Sequence, residues 1–226
     1  MARILFLAVL FLTVNARCLL AADYALLVEK TVPPKQLAEA VAKELEPTAL
    51  QVTQNGDVVC TVWLRKEIPS VGTAAQAKNG LTYKEFKEGT FFGAIEIVKA
   101  GFTDYRKQKI PAGVYTLRLA IQPMDGDHMG TAPYNDFLLL SPADADKNVA
   151  AIENEKALVE LSAKTTKSGH PAVLLLFPGK PTTPPKLVKQ KEPENHWTID
   201  AQIEALVEKK PYGAGISLTI VGQTQG

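Results

Sequence analysis

Apolar and polar positions follow two periods along this chain. Leu37, Val41 and Leu45 recur every fourth residue between Pro33-Pro34 and Pro47, which predicts an amphipathic helix over Lys35 to Glu46. Alternation then takes over. Asn55-Gly56 is a tight hairpin signal between Leu50-Gln51-Val52 and the strand Val58 to Leu64. In that strand Cys60 shares a face with Val62 and Leu64, while Trp63 points the other way. Pro69 to Gly89 is a looser stretch of small and polar residues. Strand character returns at Phe91, with Ile95 and Ile97 alternating with Glu96 and Val98.

Pro111-Ala112-Gly113 is turn chemistry leading into a strand. There Tyr115, Leu117, Leu119 and Ile121 share one face, and Thr116, Arg118 and Gln122 the other. A polar loop from Met124 to Asn135 precedes Phe137 to Leu140, an apolar run expected to be covered on both faces. Ala157, Leu158 and Leu161 predict a second helix across Asn154 to Lys167, stopped by Gly169 and Pro171. Ala172 to Phe177 reads as a strand, and Pro178 to Pro193, rich in proline and lysine, as a semi-extended surface loop. His196 to Ala205 alternates most cleanly, placing Trp197 with Ile199, Ala201 and Ile203 and predicting its burial. Ile216, Leu218 and Ile220 mark the last strand. About eight strands with turn signals and two short helices predict a mostly β fold, an antiparallel β-sandwich.

The first 22 residues follow a different pattern. Arg3 precedes an apolar run from Ile4 to Val14, and Ala21 and Ala22 close the segment before Asp23. That is the layout of a secretory signal peptide, leaving 23–226 as one domain. The run is well short of the roughly 20 residues that span a bilayer, so no membrane anchor is expected after cleavage. Arg17 before Cys18 argues against lipidation, and Val14-Asn15-Ala16 is a second plausible cleavage site. Of 25 basic residues, Arg3 and Arg17 leave with the signal, so the mature chain carries 23 against 24 acidic ones. Nothing there recruits nucleic acid. Cys60 is then the remaining cysteine and is expected to be a small buried hydrophobe.

The run from Ile110-Pro111-Ala112-Gly113-Val114-Tyr115-Thr116-Leu117-Arg118 continues through Gln122-Pro123-Met124-Asp125-Gly126-Asp127-His128-Met129-Gly130. It passes on to Pro133-Tyr134-Asn135-Asp136-Phe137-Leu138-Leu139-Leu140. This core resembles that of a group of exported bacterial proteins with a glycine turn, a YTLR strand, a DGxHxG loop and a DF strand. Gly169 to Leu174 and Trp63 to Lys66 are also similar. The resemblance implies an envelope or secreted bacterial protein, periplasmic or extracellular. It brings no activity, cofactor or catalytic residue.

Asp125, Asp127 and Asp136 sit at positions 1, 3 and 12 of an EF-hand-like loop with a glycine at position 6. Met129 at position 5 and an aspartate at position 12 depart from that pattern. With His128 the loop forms a candidate calcium or copper site, set against an ordinary hairpin loop with local hydrogen bonds. His128, His170 and His196 have no metal-ligand spacing among them. Tyr134 and Phe137 are candidates to line a shallow ligand pocket. No nucleophile elbow or phosphate loop occurs, and Asp200 and Glu204 on one strand lie about 13 Å apart, beyond the glycosidase separation of about 6.5–9.5 Å. The expectation is a non-catalytic exported protein that binds an envelope protein or glycan through the 124–136 loop region. A metal-binding protein and a cryptic hydrolase are the alternatives.

Overall fold

A computed structural model describes residues 24–98, 100–122 and 131–224. Through them run the strands β1 Tyr24–Lys30, β2 Thr48–Gln54, β3 Asp57–Leu64, β4 Ile68–Pro69, β5 Phe91–Ile97 and β6 Gly113–Ile121. The series continues with β7 Asp136–Pro142, β8 Ala172–Phe177, β9 Lys186–Lys189, β10 Trp197–Val207 and β11 Lys210–Val221. The helices are α1 Glu39–Ala42, α2 Ala74–Asn79 and α3 Glu155–Ala163. The β-rich expectation holds, but eleven strands replace about eight, and three helices replace two.

The strands make a single curled sheet in the order β1-β2-β3-β5-β6-β7-β8-β11-β10-β4, with β9 also on β10. It is mixed rather than purely antiparallel, because Ile68–Pro69 runs parallel to Ala205–Leu206. The bend lies at β8, whose residues from Ala172 to Leu175 pair with β7 while Leu176 and Phe177 pair with β11. The two limbs thereby face each other. Leu50, Val62, Ile95, Leu117, Leu138 and Leu174 of one share a core with Ile199, Ile203, Ile216 and Leu218 of the other. Cys60 lies in that core, fully buried, and burial pushes its thiol up to about 12. It is an inert filler.

Local chemistry explains the turns. Asn55 and Gly56 both have positive φ, 54° and 89°, as a two-residue hairpin matched to strand twist requires. Glu208 and Lys209 repeat this between β10 and β11, at 51° and 64°. In the stretch expected to be loose, Thr73 accepts from the Gln76 N–H and Gln76 accepts from the Thr73 N–H, a capping box that starts α2. The expected helix over 35–46 shrinks to one turn. Glu46 N–H donates to Leu64 O and Lys66 N–H to Glu44 O, so β3 and its extension claim the backbone a longer helix would use. Leu37, Val41 and Leu45 are nonetheless all buried.

Behind α2, the 81–86 segment enters the interior, and Tyr83 mends the bend of the sheet. Its hydroxyl accepts from Ser217 N–H at 3.0 Å and donates to Phe177 O at 2.9 Å. These are backbone groups of facing residues on β11 and β8, so a phenol bridges two strands where they splay. The outer face of the sheet is covered in two places. Leu37, Val41 and Leu45 pack on Trp63, Phe91 and Ala94, and Leu158 of α3 packs on Phe137, Leu139 and Leu175. Phe137 to Leu140 is therefore covered on both faces, as its unbroken apolarity predicts. No helix is long and apolar enough to cross a membrane among the described residues.

Candidate ligand cleft

At one end of the sheet the β10–β11 hairpin carries a bulge: Trp197 faces Val221, whereas Thr198 faces Thr219. The extra residue on β11 interrupts the regular pairing at this end of the hairpin. Trp197, expected to be buried with Ile199, is half-buried, with the Tyr24 ring 5.5 Å away and the Lys189 ammonium 5.9 Å from its centre. Lys189 belongs to β9, a strand inside the stretch expected to be loop. It forms because 186–189 folds back onto 197–200 as an edge strand, with the prolines left outside the ladder.

Beside this pair opens a cleft of about 470 Å³, a volume in the range of small-molecule sites. Tyr24, Gln54 and Val59 form one wall, and the 100–103 loop, the 194–196 turn and the 220–224 tail form the rest. Gln54 Nε2 donates to the Tyr24 hydroxyl at 2.9 Å, and Gln223 Nε2 to Thr103 Oγ1 at 2.5 Å. Burial raises the Tyr24 phenol above its ordinary range. The 100–110 loop is held down by Asp104, fully buried. Its carboxylate accepts from Gln108 N–H and Gln108 Nε2, both at 2.8 Å, and from Val173 N–H at 3.1 Å. Burial without a bonded cation pushes this carboxyl up despite those donors.

His196 also lines the cleft and is 2% exposed. Its Nδ1 is 3.0 Å from Glu194 O. A carbonyl only accepts, so Nδ1 carries a proton, and in that tautomer of the imidazole Nε2 is the acceptor. That atom is buried and has no hydrogen-bond partner among the described residues. The ring lies against Gly222, φ 138°, where any Cβ would collide with it. It is the middle of a run of aromatic rings: Tyr134, Phe177, His196, Tyr105 and Phe137 follow one another at centroid separations of 5.0, 6.1, 5.9 and 6.0 Å.

A second polar centre lies on the outer face, and it is closed. Arg118 is 0% exposed and uses all five of its N–H groups. Nε and Nη2 grip Asp146 at 2.6 and 2.8 Å, Nη1 reaches Gly89 O and Ala150 O at 2.8 and 2.9 Å, and Nη2 also meets Asn148 O. Thr116 Oγ1 adds a 2.5 Å bond to Asp146. The Phe91 ring lies beside the guanidinium, 5.9 Å from its carbon. Arg118 is on the face that alternation assigns it, yet the 143–152 segment covers it.

Of the residues singled out from sequence, Asp125, Asp127 and His128 lie outside the described residues. Asp136 opens β7, half-buried, its carboxyl pushed up by desolvation against a smaller opposing pull from Lys84. Among the described residues no three His, Cys, Asp or Glu side chains group as metal ligands. Phe137 is 4% exposed, packed under α3 rather than open to a ligand, and Tyr134 is half-buried on Phe177. Both connect to the cleft through the run of rings centred on His196. His170 is exposed, and Trp63 is buried with Nε1 donating to Thr31 O at 3.0 Å. The cleft residues themselves were missed. They come from five separate segments, and the one local signal was His196 beside the polar pair Glu194-Asn195 at a strand start.

No protein-family model matches the chain, and neither a curated protein nor a solved structure matches it.

Proposed function

We propose that this is an exported protein of a bacterial envelope or secreted fraction that binds a small ligand without transforming it, in the cleft between Tyr24 and His196. Its scaffold is read as a sandwich whose two layers are limbs of one sheet. The observation that supports the binding role is the buried, unpartnered Nε2 of His196, a residue lining a cleft whose other polar groups are mostly amides and hydroxyls. A purely structural histidine normally has both nitrogens satisfied. The export reading rests on the charge, apolar run and small-residue sequence of 1–22 and on the likeness of the 110–140 core to exported proteins. The 124–136 region remains part of the reading, because its base meets the cleft. Gln122 Nε2 donates to Thr131 Oγ1, and Thr131 O accepts from Thr224 Oγ1, each at 3.0 Å.

The test is amide NMR of ¹⁵N-labelled 23–226 against a panel of small polar solutes. Saturable shifts confined to 100–103, 194–196 and 220–224 are expected for at least one class. A panel that moves none of those amides overturns the reading.

A further inference from the structure

Resting on that reading of the cleft, we infer that its ligand is a neutral saccharide. The argument begins with charge. Among the described residues that line the cleft there is no lysine or arginine, and Glu194 is the sole carboxylate, exposed at the mouth. Among the described lining residues a phosphate or carboxylate ligand would find no cation to replace its hydration, and a metal ion too few oxygens of charge.

The polar groups present both donate and accept. Gln54, Asn195 and Gln223 bring amides, Thr103 and Tyr24 hydroxyls, and His196 a bare acceptor. A sugar hydroxyl likewise gives one hydrogen and takes others, so such a lining answers it group for group. Asn195 is held at φ 63°, a left-handed conformation asparagine tolerates, which fixes the turn that carries its amide and His196.

The rim adds the apolar half. The C–H face of a pyranose carries slight positive charge and stacks on the negative face of an aromatic ring. Tyr24 lines the cleft and its ring is in tilted contact with Trp197 at 5.5 Å, and Phe102 lies on the 100–103 loop. The contact with Trp197 keeps the Tyr24 ring in place before a ligand arrives, which reduces the ordering cost of binding.

The experiment titrates the 23–226 protein with chitotriose, cellotriose and maltotriose, and in parallel with trialanine and inorganic phosphate, reading cleft amides by NMR and Kd by calorimetry. Saturable cleft shifts with at least one trisaccharide are expected. Tyr24→Ala should weaken that binding about tenfold, Tyr24→Phe far less, and Trp197→Leu by an intermediate factor, with unfolding midpoints recorded for each. Cleft shifts with trialanine or phosphate and with none of the sugars overturn the saccharide assignment and leave the cleft a binding site. Shifts with no solute overturn both. Sugar binding that is unchanged in a folded Tyr24→Ala protein also overturns the assignment.

Discussion

The Arg118 centre and the His196 cleft are both polar groups taken out of water, and they are finished differently. Around Arg118 every donor has an acceptor, supplied by the Asp146 carboxylate and by the backbone carbonyls of Gly89, Asn148 and Ala150. Around His196 one nitrogen is committed to Glu194 O and the other to nothing described. Burial makes both expensive to disturb, but only the second leaves a bonding capacity unused. The difference separates a latch from a site: a latch saturates itself, whereas a site keeps something in reserve.

Breaking the latch should produce the largest effect. Arg118→Met leaves Asp146 a buried, unpaired carboxylate and strands three backbone carbonyls, a loss of about 3–5 kcal/mol. At roughly 2–4 °C per kcal/mol for a chain of this size, the unfolding midpoint should fall by about 6–20 °C. Adding Asp146→Leu should recover part of it, since no charge is then left alone. A single variant that melts within about 2 °C of wild type would show that the network is not the closure described. Tyr83→Phe comes next. It removes the hydroxyl that joins Ser217 N–H to Phe177 O, leaving two buried backbone groups unmatched, at a cost of about 1–3 kcal/mol by denaturant titration. A loss below about 0.5 kcal/mol would mean that β8 and β11 close the gap directly.

The same contrast accounts for what could be read from residues alone. The eight stretches that alternate or run apolar became β2, β3, β5, β6, β7, β8, β10 and β11, the interior of the sheet. The three strands not foreseen, β1, β4 and β9, sit at its two ends. Alternation records burial of a face, and an edge strand buries little. Leu27 and Val28 of β1 are 43% and 47% exposed on successive positions, so no period forms. Arg118 was legible as the odd residue on an apolar strand, but not its cover, because Asp146, Asn148 and Ala150 carry no spacing that points to it. α2 had a readable signal in Thr73 and Gln76, three apart. The cleft had almost none, since distant segments assemble it.

Asp104 sharpens the comparison by titration. Like Asp146 it is buried, but N–H groups alone bond it, and burial raises its carboxyl above the ordinary aspartate range. A folded value above the unfolded one means the native state holds the proton more tightly. Its contribution therefore favours folding most below pH about 4 and is lost as pH rises through the raised folded value. Asp136, raised by desolvation as well, acts in the same direction. Carboxyl-carbon NMR should give Asp104 a midpoint above about 3.9. A midpoint at or below that would remove the claim that its burial is uncompensated.

The smallest expected change in stability is the most informative. His196→Phe keeps a ring of similar shape among Tyr105, Phe177 and Gly222. It deletes the Nδ1 bond to Glu194 O, worth about 1 kcal/mol, and equally deletes an unmatched buried acceptor, whose removal returns about as much. The net shift should lie within about 1 kcal/mol of zero, against several for Arg118→Met. On the proposed reading, binding in the cleft should nevertheless fall at least about tenfold, because Nε2 is the acceptor that reading assigns to the ligand. If instead the variant unfolds as readily as Arg118→Met, His196 is a second latch with a partner not yet accounted for. If it is stable and binds unchanged, the free nitrogen is an ordinary packing defect. Only the combination of near-neutral stability and lost binding belongs to a site.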